Sequence, residues 1–385
     1  MSKQTSTTRA TNWDLLRALA MFLVVVTHAS GYLGPIHGQG THGLVSAAAL
    51  ICDPIFFALS GYFAIKPMRR NLKSYYLNKV CTIILPLILY SILLYCYTTR
   101  LSGISLGDYF LYFSNILAGG WWFIPALIPC LVAAPFITKG FEALSDKQIL
   151  ILGIVLGALF CSGAIFTYLS WLFASWGIET LSNFSSLMLN LVPPSILVRE
   201  PAYFEFFLLG GIYRRLAPHI SKKVSTRIIL AGLLCWATDV HFAYYGIPRQ
   251  DPSYFWLFIA FAAMALCDRI RISAPTAQKV ISWAAQRSYS IYLLQYTTLA
   301  IAAGLFYEQS VFGVIADMAA PFRILLWVAM ILMAYLLALA VASLVDPFVL
   351  KPLQNLFNKV SAKWLTPKEP ALQTPPADKP PTPKL

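Results

Sequence analysis

The sequence predicts an all-α, polytopic integral membrane bundle of about ten transmembrane helices, and three observations carry that prediction. Of 385 residues, 58% are hydrophobic and 12% charged, which leaves too few polar side chains to coat soluble domains. Apolar stretches recur at the length a bilayer core demands, roughly 20 residues for about 30 Å. The basic excess, a net charge of +13, falls between those stretches, where the positive-inside rule places it. The charge therefore reports topology, and no nucleic-acid partner is expected.

Spans are expected near 13–33, 43–65, 80–98, 121–138, 149–168, 201–213, 228–246, 253–268, 282–306 and 322–346. The sixth is the least regular, because 186–213 reads as one broken helix or a re-entrant piece interrupted by Pro193-Pro194 and Pro201. Ten spans put both termini on one side. With that side cytoplasmic, it collects Lys66, Arg69, Arg70, Lys73, Lys79, Arg214, Arg215, Lys222, Lys223 and Arg227, against Arg100, Arg199, Arg249 and Arg323 opposite. Residues 1–12 form a polar cytoplasmic segment without the arrangement of a removable signal peptide. Residues 13–350 make the transmembrane domain. Residues 351–385 turn basic and then Pro-rich, a composition expected to be a disordered cytoplasmic tail. The seven cysteines lie mostly in apolar segments without metal or disulfide spacing, and read as small buried hydrophobes.

Chemistry-bearing residues begin in the first span, where Arg17 and His28 are separated by ten residues. Ionisable groups inside spans are costly and mark function. Eleven helical steps come within about 20° of whole turns, so the two share a face about 16 Å apart along the axis. The structural alternatives are a snorkelling Arg17 paired with Asp14 and an interhelical hydrogen bond for His28. Asp53, mid-span beside Pro54, either lines a cavity or satisfies backbone donors loosened at the proline.

Arg17 and His28 at this spacing resemble the opening motif of the acyltransferase family 3 membrane proteins. The resemblance extends through Phe56-Phe57-Ala58-Leu59-Ser60-Gly61-Tyr62, Trp121-Trp122-Phe123 and Ser288-Tyr289-Ser290-Ile291-Tyr292-Leu293-Leu294, and covers nearly the whole membrane region. It implies O-acylation of sugars or surface polysaccharides in a bacterial inner (plasma) membrane, with acetyl-CoA or another acyl-CoA as donor substrate. It implies no bound cofactor and no metal. The partners expected are the lipid bilayer, the acyl-CoA and a glycan or glycolipid acceptor. Two departures stand out. Gln295 occupies a position where the family often has histidine, and it cannot shuttle protons near neutral pH. Before Pro86, where the family often has two arginines, Lys79 is the one evident cation.

Counting depth from the expected span ends gives two layers. Arg17, Ser60, Lys79 and Tyr292 form a cytoplasmic layer suited to an anionic donor, with Arg17 binding phosphates. His28, Trp122 and Glu205 form an outer layer suited to a sugar hydroxyl, with His28 as its base or as a transient acyl carrier. Ser288, Tyr292 and Gln295 share a helical face, and Gln295 and Asp53 are placed with the acceptor side. Each has a bland counterpart: a small-residue contact at Ser60-Gly61, an interfacial belt residue at Trp122, a solvated span end at Glu205. A transporter or flippase of glycolipid intermediates is the alternative function, since buried ionisable residues also line transport pathways. A sensor or scaffold without chemistry is a third.

Overall fold

The computed structural model describes residues 11–34, 36, 41–68, 71–191, 203–308 and 318–365. The expectations for residues 1–10, Arg69, Arg70, Pro193-Pro194, Arg199, Pro201 and the Pro-rich end from 366 lie outside those residues. Sixteen α-helices account for nearly all of the rest: α1 Thr11–Ala29, α2 His42–Ala49, α3 Cys52–Ala64, α4 Leu72–Lys79, α5 Leu85–Thr98, α6 Leu106–Ala118, α7 Phe123–Ala143 and α8 Asp146–Ser175, then α9 Glu179–Met188, α10 Tyr203–Leu216, α11 Lys222–Tyr244, α12 Trp256–Arg269, α13 Pro275–Gln286, α14 Ser288–Ala303, α15 Ala320–Val345 and α16 Lys351–Leu365.

The all-α membrane bundle is thus as expected. Among the described residues, seven stretches are long and apolar enough to cross a bilayer: Thr11–Tyr32, His42–Ala64, Leu72–Thr98, Phe123–Ala143, Asp146–Ser175, Ser288–Phe306 and Ala320–Ala362. The other three expected spans are helices that fall short on length or polarity. The 14 residues each of α10 and α12 rise about 21 Å. Helix α11 carries Lys222, Lys223, Arg227 and Asp239. All three pack within the bundle, α10 against α3 and α11 against α12. The expected second span is two helices, broken at Leu50-Ile51.

Backbone proximity holds α3 to α10. A Cβ on Gly61 would overlap the Phe207 carbonyl, and one on Gly210 would overlap the Ala58 carbonyl. Glycine at both sites lets the two backbones meet, as small residues do where lipid supplies no hydrophobic drive. Gly61→Ala is therefore expected to lower thermal stability in detergent by several degrees, an overpacking cost of about 1–3 kcal/mol. Gly140→Ala, whose Cβ would meet nothing within 4 Å, is the control that should unfold with the parent.

Prolines leave carbonyls that neighbouring helices take up. Pro135 has no N–H for Leu131, and the Tyr75 hydroxyl donates to that carbonyl at 2.9 Å, tying α4 to α7. Between α4 and α5 a π-turn spans Val80–Ile84, with the Leu85 N–H donating to the Val80 carbonyl. Pro86 cannot serve Cys81 in turn, and Gln354 Nε2 donates to the Cys81 carbonyl instead, at 3.0 Å. That bond corrects the expectation for the start of the tail: residues 351–365 are helical and docked, with Ser361 buried. Tail composition hid this, because Leu353, Leu356, Phe357 and Val360 fall at helical spacing among the polar residues.

Candidate active site

Helix α1 carries Arg17 and His28 on one continuous helix, so their separation of about 16 Å holds. Its far end is fastened by neighbours: the Trp327 indole donates to the Ala29 carbonyl at 2.8 Å, and Ser30 Oγ lies 2.8 Å from His42 Nδ1. Two contacts set the register of α1 against α13 and α14. Ser282 donates to Asp14 at 2.9 Å, and the Tyr296 hydroxyl meets His28. Each second contact lies fourteen residues beyond the first (296 − 282 and 28 − 14), so the helices run parallel, in step.

At the Arg17 end the guanidinium lies 5.2 Å from the Phe63 ring centroid and 4.0 Å from Asp14 Oδ1. Phe63 is part of the wall of a cavity of about 670 Å³ that also includes Lys66, Tyr75, Asn78, Lys79 and Arg214. Lys79 sits over Tyr75, 5.4 Å from its centroid. Arg214 is oriented twice by Tyr62, through a 3.2 Å bond to its carbonyl and a 5.2 Å approach to its ring. Tyr62 in turn stacks on Trp13 with centroids 4.2 Å apart. Lys66, Pro67 and Arg214 also border a second cavity of about 250 Å³. Arg17, Lys79 and Arg214 are each held against a ring face, and Arg214 by a main-chain oxygen as well, which fixes positive charge at this end. Ser60 is half-buried on α3 and is not among the residues lining either cavity.

At the His28 end, the Tyr296 hydroxyl lies 3.0 Å from Nδ1 and 3.2 Å from Nε2. Trp122 packs 5.4 Å from Tyr203, whose hydroxyl donates to Asp251 Oδ1 at 3.1 Å. Asp53 sits in the first turn of α3, where a helix N-terminus favours a carboxylate. It is within electrostatic range of Tyr203, Tyr292, Tyr296 and Asp251. The loop bearing Asp251 is anchored by Asp239, fully buried yet fully engaged: Arg249 donates at 3.0 and 2.7 Å, Ser253 at 2.7 Å and the Trp256 indole at 2.9 Å. A buried carboxylate survives where its lone pairs are filled in this way.

The family model described as an acyltransferase domain, of the acyltransferase 3 type, matches residues 11–345. The chain belongs to that acyltransferase family. No curated protein and no solved structure matches it. The match runs from the first turn of α1 to the last residue of α15, so both ends of the two-ended arrangement fall within the acyltransferase domain.

Two placements in the acyltransferase differ from expectation. Tyr292, expected beside the donor, donates instead to the Gly120 carbonyl at 3.3 Å. In the parallel register it is level with Val24 (28 − 4), one turn from His28 and two from Arg17. Gln295 is buried on α14. Its amide has no hydrogen-bond partner among the described residues, and Tyr296 is the residue that reaches His28. Glu205 is no solvated span end: it is 5% exposed on α10. Lys66, Arg214, Tyr203, Asp251 and Tyr296 were not singled out from sequence. Asp239 could have been, as an acid inside an expected span.

Proposed function

We propose that this membrane acyltransferase moves an acyl group, acetyl in the simplest case, from an acyl-CoA to a hydroxyl of a glycan or glycolipid. The observation that carries the reading is the two-ended arrangement on α1, with Arg17 against Phe63 in the wall of a cavity bordered by Lys66, Lys79 and Arg214 at one end and His28 against the Tyr296 hydroxyl at the other. The larger cavity is within the size range of small-molecule sites, and its cations suit donor phosphates. Lys66, Lys73, Lys79, Arg214, Arg215, Lys222, Lys223 and Arg227 lie toward the Arg17 end, against Arg100, Arg249 and Arg323 toward the other. That asymmetry supports a cytoplasmic Arg17 end, where acyl-CoA is available, in a bacterial inner membrane.

In the transfer, His28 takes the proton of the acceptor hydroxyl as its oxygen attacks the thioester carbonyl. The tetrahedral intermediate collapses with cleavage of the C–S bond, and the imidazolium returns the proton to the departing thiolate. Comparing surface glycans by mass spectrometry with and without the protein tests the reading. A mass difference of one acyl group is expected, and identical glycans in a strain that makes the protein would overturn it.

The cavity gives a second expected result. Lys79→Ala and Arg214→Ala should each raise the donor KM about tenfold, the scale of one lost charge-assisted hydrogen bond. Turnover at saturating donor should change little, as for contacts shared by ground and transition states. Initial rates against acyl-CoA concentration check this, and an unchanged KM removes the residue from the donor site.

A further inference from the structure

We infer that Tyr296 is the positioning residue for His28, its phenolic oxygen accepting a hydrogen bond from Nδ1–H so that the Nε2 lone pair is kept for the acceptor hydroxyl. This rests on the reading of His28 as the base. The hydroxyl is nearer Nδ1, at 3.0 Å, than Nε2, at 3.2 Å, and the two rings are tilted at 45° with centroids 4.5 Å apart. A neutral imidazole has one donor and one acceptor nitrogen, and the partner of the first decides which is left for chemistry.

The neighbouring backbone is shaped for this ring. A Cβ on Gly120 would come within 2.9 Å of Tyr296 Cε2 and 3.0 Å of Cδ2, so glycine at 120 makes the room that the ring occupies. Tyr292, one helical turn before Tyr296, donates to the carbonyl of that same glycine and holds the strip of chain in place. Asp53 lies within electrostatic range of Tyr296. Neighbouring Gln295 is buried, with no hydrogen-bond partner for its amide among the described residues, and the pairing with His28 comes from Tyr296, one position further along α14.

Tyr296→Phe keeps the ring against Gly120 and removes only the hydroxyl. Thermal stability and donor KM should match wild type, and kcat should fall between about 10- and 100-fold, the scale of a misplaced catalytic group. Gly120→Ala should displace the ring and lower kcat similarly, but add no more than about twofold in the Tyr296→Phe background, where the bond is already gone. Independently of turnover, ¹⁵N-histidine spectra, with the His28 signal assigned by its loss in His28→Gln, should show Nδ1 protonated in wild type. In Tyr296→Phe the signal should revert to the Nε2–H form that free imidazole prefers. A Tyr296→Phe enzyme with kcat within about twofold of wild type, or the same His28 tautomer in both proteins, would overturn the assignment. If His28→Gln itself remains active, the base reading falls, and the spectra still decide whether Tyr296 sets the tautomer.

Discussion

His28→Gln is expected to lower acyl transfer by about 10²-fold or more, the usual contribution of general acid–base help, with expression and thermal stability near wild type. Glutamine keeps a hydrogen-bonding tip of similar reach, so it can still meet the Tyr296 hydroxyl that lies 3.0 Å from Nδ1. What it loses is a ring nitrogen whose lone pair can take up the hydroxyl proton and hand it on. A purely structural histidine would behave otherwise: its replacement would cost about 0.6 kcal/mol, the average for interhelical hydrogen bonds in membranes, and turnover would barely move. A well-folded His28→Gln protein with at least about half of wild-type turnover is therefore incompatible with the role of base. Labelled acyl-CoA without acceptor separates two chemistries. Label retained covalently on wild type but not on His28→Gln marks a transient acyl carrier, whereas no retained label marks a base acting directly on the hydroxyl.

Arg17→Ala should abolish transfer, and Arg17→Lys should retain about a tenth of the activity or less, because lysine keeps the charge but loses the planar donor fork. The surroundings of Arg17 sharpen the comparison. Its guanidinium lies 5.2 Å from the Phe63 ring, on the wall of the cationic cavity, and its contact with Asp14 is long at 4.0 Å. An arginine kept only for the Asp14 pair would be worth little as a partly exposed ion pair, and either substitution would then leave rates near normal. Full donor-dependence curves for both variants check the prediction. Wild-type kinetics in Arg17→Lys would mean that the site requires a point charge alone.

Legibility from sequence differed between the parts of the molecule for identifiable reasons. Arg17 and His28 could be read together because both lie on one helix, where periodicity alone sets their relative position. Lys79 was visible as an isolated cation before Pro86. Lys66 and Arg214 were visible only as loop charges, since what makes them part of a site is the close approach of α3 and α10 through Gly61 and Gly210. Tyr292 lies nearer His28 than counting from an expected span start predicts, because such counting ignores register. Contacts at Asp14–Ser282 and His28–Tyr296 set that register, and no local pattern encodes them. Composition predicts a tail over residues 351–365, whereas α16 is held by a carbonyl that Pro86, far away in the chain, leaves open.

By itself, the sequence determined the all-α membrane class, the family resemblance and the alignment of Arg17 with His28. These depend on composition, on helical repeat and on spacings within single helices, all of which are local quantities. Tertiary structure decided which cations border one cavity, which tyrosine meets the histidine and that Gln295 is buried. Those outcomes depend on how far one helix slides and turns against the next. Backbone contacts at glycines and carbonyls left open by prolines govern that sliding and turning, and they join residues up to 273 positions apart.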